Sequence, residues 1–217
     1  MYHAGVNTTI ETLDDLARDI AALGQRHPSF ARVAAATGLP PLRRWEGGFP
    51  GIARIVTGQQ ISRDAAAAIR GRLEALVPGL DPAAFAATDP AAQAAAGLSR
   101  PKVATLREIA GRIARGTLDP EALVGAPIET VRATLVALPG VGPWTADVYA
   151  LFCLGHADAF AAGDLALREA ARTAFGLPGR PSIAALEAMA LAWSPWRGAA
   201  ARLLWAWYAL DRDREGV

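Results

Sequence analysis

The stretch Leu138-Pro139-Gly140-Val141-Gly142-Pro143-Trp144-Thr145-Ala146 offers the most chemistry through its backbone. Two glycines around one small apolar residue permit a tight turn that a ligand can approach closely. Pro143 suits the first position of a helix, where its missing N–H leaves no bond unmade. The N–H groups of the turn and of that helix start can then face an anion such as phosphate. Read alone, the same residues also suit an ordinary corner between two helices. Farther along, Asp164 stands directly before the helical run Leu165 to Phe175. A carboxylate there can cap the helix, and one held at such a place can also stabilise positive charge on a reacting group. Asp158 and His156 lie nearby and read as loop and surface residues.

These groups need a scaffold, and the composition says which kind. The chain has 217 residues, 52% of them hydrophobic and 20% charged, enough to bury a core and too apolar for a disordered chain. Fifty residues are alanine, and strand-type alternation is nearly absent, so an all-α fold is expected. The single cysteine, Cys153, excludes an intrachain disulfide and any four-cysteine metal site. No apolar run reaches membrane-spanning length, and the first residues lack a basic segment followed by an apolar one, so a cytoplasmic protein with no membrane partner is expected. The net charge of +1 does not announce a nucleic-acid binder. A grip made by backbone N–H groups does not require a strongly basic protein.

Punctuation sets the helices. Thr12 can cap a helix beginning Leu13-Asp14-Asp15, and the chain breaks next at Gly38-Leu39-Pro40-Pro41. Ile52 to Gln60 reads as a buried helix, and Ser62 can cap another that runs to about Leu76. Asp81-Pro82 and Asp89-Pro90 open two short alanine-rich helices. Ser99 opens one ending near Gly116, Pro127 one ending at Leu138, and Pro143 one running to Leu154. The charged end Asp211 to Glu215 reads as a solvated terminus, and residues 1–217 as one domain with the hairpin at 138–146.

Five segments together resemble the helix-hairpin-helix (HhH-GPD) DNA glycosylases, and within them the 3-methyladenine DNA glycosylase II group. They are Ile55-Val56-Thr57-Gly58-Gln59-Gln60-Ile61-Ser62, Gly97-Leu98-Ser99-Arg100-Pro101-Lys102, the hairpin, Phe160-Ala161-Ala162-Gly163-Asp164-Leu165-Ala166-Leu167, and Trp193-Ser194-Pro195-Trp196-Arg197 leading to Trp205. Their order and spacing carry the resemblance, which spans roughly residues 40 to 210. It implies a two-lobed, all-α fold with an active-site cleft between the lobes. Some bacterial members carry an extra N-terminal domain rich in β-structure, which is not expected here.

The resemblance also implies a reaction, hydrolysis of the N-glycosidic bond of a damaged base in double-stranded DNA during base-excision repair. Asp164 takes the catalytic place, stabilising charge on the deoxyribose and orienting the attacking water. Members with lyase activity use a lysine where Trp144 stands, and the one lysine of this chain, Lys102, lies elsewhere, so a monofunctional enzyme is implied. Trp144 and Trp205 would form a base pocket for a cationic alkylated purine of the 3-methyladenine or 7-methylguanine type, with Tyr149 as a wall or a core residue. Trp196 and Trp207 read as core. Gln59 and Gln60 would both contact DNA, and Gln60 falls where the family inserts a side chain into the base stack. Gly140, Val141, Gly142 and the Thr145 hydroxyl would contact phosphate. No cofactor is required; a monovalent cation, Na+ or K+, would sit on the carbonyls of Leu138 and Val141. A monomer suffices. The alternatives are a glycosylase for hypoxanthine, ethenoadenine or uracil, a non-catalytic DNA-binding module with Asp164 as a cap alone, and a helical scaffold.

Overall fold

A computed structural model describes residues 8–215. Among the described residues there are twelve α-helices and no strand, as the alanine content leads one to expect. None of these helices is long and apolar enough to cross a membrane. The chain divides into two compact units, one made of residues 1–44 and 150–217 and the other of residues 45–149.

The first unit holds α1 (Leu13–Arg26), α2 (Pro28–Thr37), α10 (Leu165–Phe175), α11 (Ile183–Leu191) and α12 (Arg197–Glu215). Thr12 caps α1 in a reciprocal box: its hydroxyl accepts from the Asp15 N–H, and the Asp15 carboxylate accepts from the Thr12 N–H. The sequence reading has no break before Gly38, yet α1 ends at Arg26. Pro28 cannot donate the next ladder bond, and it opens α2 at the first helical turn instead. Alanines 199–201, with Leu203 and Leu204, are fully buried on α12. Small side chains let α12 approach α1, α2 and α10, all of which pack on it. Trp193 is the buried tryptophan, edge-on to Phe30 at 5.0 Å and to Phe160 at 5.4 Å between ring centroids. Trp196 and Trp207 are partly buried.

The second unit holds α3 (Gly48–Gly58), α4 (Arg63–Leu76), α5 (Pro82–Ala87), α6 (Pro90–Ala95), α7 (Arg100–Ala114) and α8 (Ile128–Val136). It also holds most of α9 (Pro143–Phe152). Phe49, Ile52, Ile55 and Val56 of α3 are all buried, so this helix is enclosed on most sides, as its apolar run anticipates. Ser62 caps α4 by accepting from the Ala65 N–H at 3.2 Å. Asp81 and Asp89 cap α5 and α6 in the same way. Phe49 meets Phe85 of α5 edge-on at 4.9 Å, which joins α3 to the short helices.

Candidate DNA-repair site residues

Asp164 is the residue before α10, and both of its sequence-derived roles draw on that place. Its Oδ1 accepts from the N–H groups of Ala166 at 3.0 Å and Leu167 at 3.1 Å. The same oxygen accepts from Trp205 Nε1 at 3.2 Å. Three N–H donors and the start of a helix therefore surround one carboxylate oxygen with positive potential. The side chain stays half-buried, so it is fixed without being sealed off. Trp205 sits on α12 with its ring 5.3 Å from that of Phe152, and it lines a cavity of 250 Å³ with Pro40, Pro41, Phe152 and Arg202.

The loop that delivers Asp164 is tied to α12 at two more points. Asp158 makes a bidentate ion pair with Arg197, from Nε to Oδ1 and from Nη2 to Oδ2, each at 2.7 Å. Ser194 Oγ donates to the same carboxylate at 2.7 Å. The Gly198 N–H donates to the Ala157 carbonyl at 2.7 Å. His156 is only 8% exposed, and its Nδ1 accepts from the Asp158 N–H. The expectation that Asp158 and His156 are plain surface residues is therefore corrected: they form the internal fastening of this loop. An acid 39 residues before its arginine carries no local signal, which is why the sequence hides the pair.

In the second unit, α8 and α9 flank the hairpin. Gly140 has φ +74, a left-handed conformation that favours glycine, and a Cβ there would lie 2.1 Å from Thr105 Oγ1. Gly142 has ordinary backbone angles and nothing within 4 Å of where a Cβ would stand. The first glycine is thus required by the turn and by α7, while the second leaves open space in front of the backbone. The Val141 N–H closes the turn onto the Leu138 carbonyl at 3.2 Å. Pro143 opens α9 without an N–H, and the Ala146 N–H donates to the Gly142 carbonyl at 3.1 Å. Arg132 of α8 pairs with Asp147 of α9 at 2.5 Å, and Asp147 is only 3% exposed, so an ion pair clasps the hairpin's two helices.

Gln59, after α3, reaches into this hairpin. Its Nε2 donates to Thr145 Oγ1 at 2.9 Å and to the Gly140 carbonyl at 3.5 Å. Thr145 is 4% exposed, so its hydroxyl has an internal partner rather than an open surface. Gln60 is exposed and has φ +59, one of two non-glycine residues with positive φ among those described. Tyr149 is 1% exposed, with its hydroxyl accepting from the Gly48 N–H at 2.9 Å; of its two sequence roles, this placement is the core one. Trp144 is half-buried at the second position of α9.

The sequence profile of the HhH-GPD superfamily base excision DNA repair proteins matches residues 53–197, a stretch that contains the hairpin and Asp164. The chain belongs to this family. A probable bifunctional transcriptional activator/DNA repair enzyme of Mycobacterium tuberculosis is 38% identical over 162 residues, which is 70% of this chain and 32% of that protein. The chain thus spans about a third of the length of the curated relatives it matches. DNA-3-methyladenine glycosylase 2 of Escherichia coli is 33% identical over 127 residues, 58% of this chain and 41% of that one. Among solved structures, the 3-methyladenine DNA glycosylase of Schizosaccharomyces pombe bound to abasic DNA aligns with a TM-score of 0.79 at 25% identity, covering 87% of this chain and 95% of that one. A DNA-3-methyladenine glycosidase of Bacillus halodurans aligns with a TM-score of 0.80 at 27% identity, covering 90% and 91%.

Within this HhH-GPD chain the profile ends eight residues before Trp205. The hydrogen bond from Trp205 to Asp164 joins a residue outside the matched stretch to one inside it. Sequence reasoning used Lys102 only as the lysine in the wrong place for lyase chemistry, and its actual partners are main-chain carbonyls of Thr57 and Gln59.

Proposed function

We propose that this chain is a monofunctional DNA glycosylase that removes alkylated purines from double-stranded DNA by hydrolysis. The observation that carries the reading is Asp164, whose Oδ1 is held by three N–H donors at the start of α10. As the N-glycosidic bond breaks, its electron pair leaves with the base and positive charge develops on the sugar ring. A carboxylate held in place in advance stabilises that charge without reorganising, and it can take the proton of the water that adds to the anomeric carbon. An alkylated purine carries positive charge and is already a good leaving group, so a weakly activated water suffices. The indole face of Trp205, beside Asp164, favours such a cationic ring by about 0.5–2 kcal/mol.

Two features support hydrolysis over lyase chemistry. Trp144 stands where the resemblance puts a lyase lysine, and an indole cannot form a Schiff base. Lys102 Nζ donates to the carbonyls of Thr57 at 2.8 Å and Gln59 at 2.7 Å, which engages it away from any sugar. The hairpin would hold the DNA backbone through main-chain N–H groups of the turn and helix start, and Gly142 leaves room for a phosphate to approach. The hairpin carbonyls suit Na+ or K+ chemically: the Val141 carbonyl precedes α9, and the Leu138 carbonyl has a lone pair beyond the one used by Val141. Such a cation would add positive charge beside the phosphate. Gln60, exposed after α3, would fill the gap left by the extruded base. One duplex and one carboxylate require a single copy, acting in the cytoplasm where the DNA lies.

The test is release of methylpurines from methylated duplex DNA, with strand integrity read before and after hot alkali. Base release with nicks only after alkali is the expected result; nicks before alkali would contradict the monofunctional reading. The cap itself favours a second reading, a DNA-binding module in which Asp164 does nothing more. Asp164→Asn separates the two, because an asparagine oxygen can accept the same three hydrogen bonds and keep the helix capped. The variant should bind DNA as wild type does while turnover falls about a hundredfold or more. Excision by the variant at the wild-type rate would leave only the cap.

A further inference from the structure

The C-terminal end of α3 is fastened from two sides, and the fastening ends at Gln60. Lys102 is the chain's single lysine among 22 basic residues. Its Nζ donates to two carbonyls at the last turn and cap of α3, Thr57 at 2.8 Å and Gln59 at 2.7 Å, at the negative end of the helix. Burial pushes its pKa below the usual lysine value. From the other side, the Gln59 side chain is anchored on Thr145 and Gly140 of the hairpin. The α7 helix that carries Lys102 also carries Thr105, the residue packed against Gly140. Immediately after this doubly held residue comes Gln60, exposed and left-handed at φ +59. A non-glycine residue held there is strained and persists only where its neighbours impose it.

We propose that Lys102 and Gln59 are positioning residues that hold Gln60 in its left-handed conformation, tying the residue inserted into DNA to the hairpin that grips phosphate. This rests on the glycosylase reading of Gln60 as the inserted side chain. Without the Lys102 ammonium, the two carbonyls lose their donor and the backbone after α3 relaxes toward ordinary angles. Gln60 then no longer points as a preformed wedge. The chemistry at Asp164 is untouched, because Lys102 contacts no reacting atom. The hairpin grip also survives, since the turn closes through Val141 and Leu138.

The test measures binding, so it does not depend on catalysis. Affinities are taken for two duplexes of one sequence, one intact and one with a tetrahydrofuran abasic analogue, where the gap can accept an inserted side chain. Lys102→Met should weaken abasic-duplex binding about tenfold and leave intact-duplex binding unchanged, Lys102→Arg should restore most of the loss, and in a Gln60→Ala background Lys102→Met should cost nothing more. Equal loss on both duplexes, or a full loss in the Gln60→Ala background, overturns the proposal by showing that Lys102 acts on the fold and not through Gln60. A wild-type protein that does not prefer the abasic duplex overturns it too, while methylpurine release reports separately on the glycosylase reading. Borohydride trapping of wild type on abasic DNA that is lost in Lys102→Met would also overturn it, since Lys102 would then be the nucleophile.

Discussion

At the residue scale, one oxygen of Asp164 caps α10 and, in the function proposed, also stabilises charge on the sugar. A cap needs an acceptor aimed at the first N–H groups of a helix, and the Ala166 and Leu167 donors meet that need. The donor from Trp205 is additional and comes from an element 41 residues away. Its effect is to hold the carboxylate at a set angle, so Trp205 is expected to act on turnover more than on binding. Trp205→Phe keeps an aromatic ring beside Phe152 and deletes the N–H together with the pyrrole part of the indole. A hydrogen bond to a charged group contributes about 1.5–3 kcal/mol, so kcat should fall about tenfold to a hundredfold with KM little changed. Steady-state kinetics on methylated duplex decide it: a raised KM at constant kcat would make Trp205 a binding surface alone.

At the element scale, the hairpin shows what sequence spacing can and cannot reveal. The corner between α8 and α9, the proline at the first turn of α9 and the glycine-bearing turn were legible, because each follows from backbone rules local to a few residues. The helix Leu165–Phe175 with Asp164 as its cap was legible to the residue for the same reason. Which of the two glycines is required sterically was not legible, since it depends on Thr105 of α7, 35 residues earlier. The Arg132–Asp147 and Asp158–Arg197 pairs were hidden likewise, since nothing local distinguishes a buried acid from a solvated one. Gly140→Ala should therefore be more damaging than Gly142→Ala. At Gly140 the new methyl meets both a left-handed backbone and the Thr105 side chain, for a loss of about 2 kcal/mol or more. At Gly142 the methyl enters open space and should leave stability within about 0.5 kcal/mol. If DNA approaches that space, Gly142→Ala will still weaken duplex binding. Thermal unfolding and duplex titration of the two variants separate these effects, and equal unfolding temperatures would refute the asymmetry.

At the scale of the whole molecule, stability should depend on pH in a manner set by two acids of α1. Asp15 is half-buried in the capping box, and hydrogen bonds from Thr12 and then the Arg18 contact hold its pKa down to about 2. Its stabilising contribution is present above the unfolded value near 4 and is lost as pH falls toward 2. Asp19 behaves in the opposite sense. It is 3% exposed, its Oδ2 has no hydrogen-bond partner among the described residues, and burial pushes its pKa up to about 6. The folded state then binds a proton more tightly than the unfolded state, so stability declines as pH rises from about 4 to about 6 and stays lowered above. Arg202, buried on α12, attracts Asp19 but does not offset its desolvation, and burial lowers its own pKa to about 10. Asp19→Asn removes the charge that must be buried at neutral pH. The variant should match wild type near pH 4 and exceed it by about 2–3 kcal/mol at pH 7, following the size of the Asp19 shift. Denaturant unfolding of both proteins across that range gives the answer. A variant less stable than wild type at pH 7 would mean that attraction to Arg18 and Arg202 outweighs burial, and that the acid stabilises the first unit as an ion.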